Sequence, residues 1–99
     1  MQIIPLEAIA SQRLSVVLSE QTCQIRVYQR STGVYLDLYA NGMPIIQGSR
    51  CPDRVKLVRQ PYLGFLGDLA FLDTQGNADP DFAEFGTRYF LIYLPPEEA

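Results

Sequence analysis

The chain has 99 residues, 47% of them hydrophobic and 19% charged, and its formal net charge is −3. A chain of this length fills one hydrophobic core, so we expect a single domain over residues 1–99. The apolar content predicts that the chain as a whole is a globular domain and not a disordered segment. The acidic balance, with eight Lys and Arg residues in all, argues against direct nucleic-acid recognition, because phosphate binding depends on basic side chains.

The first twenty residues predict two strands. Residues 1–10 are rich in isoleucine but contain Pro5, which suits an edge strand or an extended arm. Residues 12–19 alternate Leu14, Val16 and Leu18 with more polar neighbours, and this two-residue period predicts a half-buried strand. The N-terminus lacks a basic segment followed by a long apolar run, so we expect that it has no export signal. We expect the protein to be made in a cytoplasm.

Residues 21–48 are the most regular part of the sequence and predict a three-strand meander. Gly33 and the pair Asn41-Gly42 suit tight hairpin turns, because glycine adopts positive φ readily. A third run, 43–47, contains Pro44 and predicts a strand with incomplete pairing. Alternation places seven residues on one apolar face: Cys23, Ile25, Val27, Val34, Leu36, Leu38 and Ala40. It places five residues on the opposite, polar face: Arg26, Tyr28, Tyr35, Asp37 and Tyr39.

The second half of the chain predicts further strands separated by loops. Its strands are expected at 55–59, 68–74 and 87–94. The last is almost continuously apolar, which predicts burial on both faces or a position in the middle of a sheet. A loop or a crossing between sheets is expected at 48–53, and a long loop at 75–86 with one or at most two helical turns at 79–85. We also expect a bulge or a sharp bend at Gly64 and Gly67, and a short flexible tail at 95–99. Seven to eight short strands predict an all-β fold, either a small antiparallel β-barrel or a sandwich.

The side-chain inventory argues against an enzyme. The chain has no histidine, the commonest general base and zinc ligand. The acidic loop 73–84 offers oxygen ligands for calcium but lacks the spacing of an EF-hand, so we expect no metal site and no cofactor. Cys23 and Cys51 have no CxxC spacing or partner base, and we expect free thiols. No apolar stretch approaches the roughly 20 residues of a membrane helix, so we expect no membrane partner.

Aromatic side chains give the clearest functional signal. Tyrosine suits protein–protein surfaces because its ring packs while its hydroxyl forms a hydrogen bond. Three functions remain open at this point: a structural subunit, a small barrel that binds carbohydrate or single-stranded nucleic acid, and a minimal hydrolase. The acidic charge disfavours nucleic acid, and the missing histidine disfavours the hydrolase. The candidate interface residues are Tyr28, Tyr35, Asp37, Tyr39, Tyr62 and Phe65.

Three segments carry a family resemblance: CQIRVYQRSTGVYLDLYANGMPIIQG (23–48), YLGFLGDLAFLDTQG (62–76) and DPDFAEFGTRYFLIYL (79–94). They resemble small proteins of contractile-tailed bacteriophages, similar to the cyanophage baseplate plug family, whose relatives occur in phages and prophages. The Tyr-Leu-Asp-Leu-Tyr hairpin and the Gly-Asp-Leu-Ala-Phe segment are the most specific parts. Neither is a catalytic signature.

The resemblance implies a β-barrel-like structural protein of the virion. It implies a place in the tail baseplate, near the spike, with contacts to hub, spike and tube proteins and with three or six copies per assembly. It also implies assembly in the host cytoplasm, for a free phage or a prophage. Two predicted edge strands, 1–9 and 43–47, are free to add to the sheet of a neighbouring subunit.

Overall fold

A computed structural model describes residues 2–59 and 65–97. Within those ranges the chain forms seven strands and one short 3₁₀ helix, Phe82–Glu84. No helix there is long and apolar enough to cross a membrane. The strands are β1 (Gln2–Ile4), β2 (Ser11–Leu18), β3 (Gln21–Arg30), β4 (Gly33–Ala40), β5 (Met43–Arg50), β6 (Asp68–Asp73) and β7 (Tyr89–Leu94).

The strands form two antiparallel sheets that pack on a shared core. The meander sheet has the order β2-β3-β4-β5, and the small sheet has the order β1-β7-β6. The predicted all-β class is therefore confirmed. Of the two architectures left open, the structure has the pair of packed sheets and not a closed barrel. The predicted edge position of β1 and the central position of β7 are also confirmed.

The core follows from the alternation in β3 and β4. Every residue predicted on their apolar face is buried, and these residues join Leu69, Phe71 and Leu91 from the small sheet in one cluster. Both cysteines are buried free thiols, as predicted. Burial raises the pKa of the Cys51 thiol to about 12, so it carries no nucleophilic thiolate at neutral pH.

Two-residue turns set the register at the ends of the strands that they connect in the meander sheet. Asn41 and Gly42 have φ of 52° and 80°, which is the mirror-image turn that the Asn-Gly pair predicts. Ser19 and Glu20 form a second such turn, with φ of 49° and 65°, although neither residue favours that conformation. The bend predicted from glycines is present at Gly67, where φ is 95°; Gly64 lies outside the described residues.

The prediction of a strand at residues 55–59 is wrong. Leu57 and Val58 are both buried, which breaks the expected alternation, and Arg59 has a positive φ of 62°. This segment instead runs irregularly beside β6, held by the Asp68 carboxylate. The predicted loop at 48–53 is shorter than expected because β5 continues to Arg50. The long loop at 75–86 contains one 3₁₀ turn, Phe82–Glu84, inside the range 79–85 where one or two helical turns were predicted.

Candidate protein–protein interface

Four of the six predicted interface residues lie together on the outer face of the meander sheet. We call this group, Tyr28, Tyr35, Asp37 and Tyr39, the tyrosine face. All four lie on adjacent strands, β3 and β4, and Tyr28 is directly opposite Tyr35. Three of them are half-exposed, whereas Tyr28 is 9% exposed beneath its neighbours.

The other two predicted residues do not join this group. Phe65 is 4% exposed, and its ring packs edge-to-face on Tyr93 with the ring centroids 5.9 Å apart. Phe65 therefore belongs to the hydrophobic core and not to the surface. Tyr62 lies outside the described residues.

Tyr28 is the centre of a stacked arrangement. Its ring lies nearly parallel to the ring of Tyr35, with centroids 5.9 Å apart and planes 16° apart. The guanidinium carbons of Arg26 and Arg30 lie 4.6 and 5.0 Å from the centroid of the Tyr28 ring. Cation–π contacts of this kind restrain both partners. The sequence placed Arg26 on this face but did not identify either arginine as part of the site.

Asp37 connects β4 to β5 across this face. Its carboxylate accepts a 2.6 Å hydrogen bond from the Gly48 backbone N–H and a 3.3 Å hydrogen bond from the Tyr28 hydroxyl. A register irregularity between β4 and β5, together with the positive φ of Gly48, brings that N–H to the carboxylate. Burial, the charge of Asp37 and its hydrogen bond raise the pKa of Tyr28, against the opposing effect of Arg30 and Arg26.

The remaining tyrosine hydroxyls also have local partners. Tyr35 shares a 2.6 Å hydrogen bond with Thr32, and Tyr39 accepts one from the Gln47 amide. An open depression of about 270 Å³ lies beside Tyr39. It is lined by Arg13, Gln24, Ile25, Arg26, Asp37 and Tyr39. These groups can stack and form hydrogen bonds, but they include no nucleophile next to a base.

The carboxylates of the acidic loop are engaged in structural contacts. Asp73 is fully buried and receives two hydrogen bonds from Arg88, at 2.9 and 3.0 Å. Arg88 holds the pKa of Asp73 well below its usual range, and backbone N–H groups add to the effect. Asp79 pairs with Arg50 at 2.9 Å, and Asp81 caps the 3₁₀ helix. In the described part of the chain, no three potential ligands come together around a metal-sized space.

Comparison with models of protein families identifies the family of this chain. The family model described as "Cyanophage baseplate Pam3 plug gp18" matches residues 1–97. This range includes both sheets and the whole tyrosine face. A search of curated proteins found no match.

Proposed function

The chain belongs to the cyanophage baseplate plug family, and from this we propose that it acts by packing against other tail proteins, without catalysis. Membership of the family indicates a structural role in the virion baseplate. We further propose that its partners are hub, spike and tube proteins, that three or six copies assemble together, and that assembly takes place in the host cytoplasm.

The observation that supports this proposal most directly is the organisation of the tyrosine face. Its side chains are already held in one arrangement by stacking and by hydrogen bonds, including those of Asp37 with Tyr28 and Gly48. A surface ordered in advance loses less side-chain entropy when a partner binds. Tyrosine and arginine are also the residues that contribute most often to binding energy at interfaces.

The test is the double variant Tyr35→Ala with Tyr39→Ala. Both rings are half-exposed, so we expect the variant to fold normally by circular dichroism while its assembly weakens. Light scattering over a concentration series measures the mass of the purified protein, and co-purification with hub, spike and tube proteins measures the mixed assembly. Phe90→Ala, a half-exposed aromatic residue on the small sheet, is the matched control. Unchanged assembly of the double variant would refute a role for the tyrosine face.

One observation favours a second candidate function, a binding module for carbohydrate. The depression beside Tyr39 combines an aromatic ring with the polar groups of Gln24 and Asp37, and such a combination suits a sugar ring with its hydroxyl groups. Retention of the wild-type protein on an oligosaccharide column, lost in Tyr39→Ala alone, would support this alternative. Passage of both proteins through the column without delay would exclude it.

A further inference from the structure

We propose that the free edge of β2 docks an extended, acidic segment of a different protein chain. This surface lies on a different strand from the tyrosine face, although Arg13 lines the same depression as Asp37 and Tyr39. The proposal rests on the baseplate role only for the source of that segment.

The backbone of β2 offers an open row of hydrogen-bonding groups. β2 lies at the end of the meander sheet and pairs with β3 over eight residues in unbroken register. The two-residue turn makes Leu18 and Gln21 a hydrogen-bonded pair, so every second residue of β2 bonds to β3. The N–H and C=O groups of Arg13, Ser15 and Val17 therefore point away from the sheet. Within residues 2–59 and 65–97, no backbone hydrogen bond reaches them from another segment.

The other sheet edges are protected in ways that β2 is not. β1 has three residues, and β5 contains Pro44 and the register irregularities against β4. The outer side of β6 is covered by the irregular segment before it, where the N–H groups of Arg54 and Leu57 donate to β6 carbonyl oxygens at 2.7 and 2.9 Å. Natural sheets usually protect a long edge by such devices. A regular eight-residue edge without a proline or a bulge is therefore a place where a further strand can add.

Apolar side chains at this edge are incompletely covered. Leu14 and Val16 pack against the core but remain half-exposed, whereas their equivalents on β3 and β4 are buried. An added strand with apolar residues on its inner face would cover both. On the outer face Val17 is 62% exposed. The alternation required of the added segment is therefore apolar inward and polar outward.

Charge at the same edge selects an acidic segment. Arg13 lies directly opposite Arg26 in a non-hydrogen-bonded pair, the arrangement in which facing side chains are closest. Like charges in this position destabilise a sheet. Arg26 has Asp37 at 3.8 Å, but no carboxylate of the described residues lies within ion-pair distance of Arg13. A Glu or Asp on an added strand, opposite Arg13, would offset the positive charges of Arg13 and Arg26, which both line the 270 Å³ depression.

A second copy of this chain does not fit that requirement. The described edge strands with an open side, β1, β2 and β5, contain no Asp or Glu, and β6, which contains two Asp residues, is covered on its outer side. Pairing of any of these edges with β2 of another copy would leave Arg13 without a carboxylate opposite. The charge pattern thus favours a strand from another protein.

The probe is a nine-residue peptide with blocked termini, in which Thr and Val alternate and lie on opposite faces of the strand. Its central residue, on the Thr face, is Glu, and the control peptide has Lys at that position. Fluorescence anisotropy of the labelled peptides gives their affinities for the full-length protein. We expect the Glu peptide to bind about tenfold more tightly than the Lys peptide. Arg13→Glu should reverse this preference. On binding, amide exchange should slow at Arg13, Ser15 and Val17.

Two variants test the edge itself. Ser15→Pro removes an N–H that points away from β3, so we expect the fold to persist and peptide binding to be lost. Ser15→Thr keeps the N–H and should bind normally, and circular dichroism checks both folds. Equal binding of the Glu and Lys peptides, or unchanged binding by a folded Ser15→Pro, would overturn the proposal. Self-association of the wild type that Ser15→Pro abolishes would assign the edge to a second copy and overturn it as well.

The two proposals fail independently. The double variant Tyr35→Ala with Tyr39→Ala should still bind the Glu peptide more tightly than the Lys peptide, since neither residue lies on β2 or carries the charge that sets this preference. Loss of assembly in that variant with no peptide binding by the wild type would leave the tyrosine face supported and refute the β2 edge. Unchanged assembly of that variant, together with binding of the Glu peptide by the wild type, would refute the tyrosine face and leave the β2 edge supported.

Discussion

Asp68→Asn is the substitution that tests most directly what holds the segment before β6. The Asp68 side chain is buried, and both carboxylate oxygens accept hydrogen bonds from backbone N–H groups. One oxygen accepts from Leu57, Val58 and Leu69 at 3.0, 2.8 and 2.7 Å. The other accepts from Arg59 at 2.8 Å. All four partners are donors, so the site requires acceptors on both sides of the carboxyl group.

Asparagine has nearly the same shape but cannot meet this requirement. If its carbonyl oxygen takes the three-donor position, its NH₂ group faces the N–H of Arg59, donor against donor. The three retained bonds lose the contribution of a charged acceptor, up to about 1 kcal/mol each, and the unpaired N–H adds about 1 kcal/mol. Bonds that share one acceptor are not additive, so we expect a total loss of about 2–3 kcal/mol. For a domain whose stability is about 5–15 kcal/mol, this is a large fraction.

Urea unfolding, followed by far-ultraviolet circular dichroism, measures this loss. With an m-value of about 1.5 kcal/mol/M, the midpoint should fall by roughly 1.3–2 M. Asp81→Asn is the matched control, because Asp81 caps the 3₁₀ helix with one hydrogen bond from Ala83 and asparagine caps equally well. We expect it to change stability by less than about 0.5 kcal/mol. Equal midpoints for the two variants would show that the Asp68 carboxylate does not hold the segment.

Two further predictions concern stability. Because Arg88 depresses the pKa of Asp73, the stability that this pair contributes is fully present above the pKa of an unfolded aspartate, about 4, and is lost as pH falls below it. Thermal unfolding of the wild type and Asp73→Asn should therefore differ most near neutral pH and converge in acid; a constant difference would contradict the assignment. Replacing Glu20 by glycine relieves an unfavourable positive φ angle and keeps Ser19, whose hydroxyl accepts a hydrogen bond from Tyr93. We therefore expect a gain of about 0.5 kcal/mol in unfolding free energy, and a lower melting temperature would contradict this.

The sequence predicted the meander sheet well because its signals are local. Alternation over β3 and β4 is uninterrupted, and Asn41-Gly42 fixes the register between β4 and β5 at the turn. The segment 55–59 was predicted wrongly because its conformation depends on Asp68, about ten residues further along the chain. No periodicity within the segment reveals such a contact. The polar carboxylate, not an adjacent strand, supplies most of its hydrogen-bond acceptors.

The candidate interface, too, was predicted where alternation along a strand supplies the signal and missed where it does not. Alternation placed the tyrosines of β4 and Tyr28 of β3 on one outer face, and the structure has them there. It did not predict that Arg26 and Arg30 lie over Tyr28, because all three residues are on β3 and the contact depends on their side-chain rotamers, which alternation does not specify. It also cannot separate an exposed aromatic residue from a buried one outside a regular strand. Phe65 illustrates this, since its ring packs on Tyr93.

Arg26 connects the two proposed surfaces. It contacts the Tyr28 ring and Asp37 on the tyrosine face, and it faces Arg13 at the β2 edge. Its ion pair with Asp37 is long, at 3.8 Å, and the Arg26 side chain is 45% exposed, so this pair contributes little stability and is readily exchanged. A carboxylate docked opposite Arg13 would therefore draw Arg26 away from Asp37 at small cost. We expect binding at the β2 edge and packing on the tyrosine face to influence each other, and the influence to weaken as salt screens the charges.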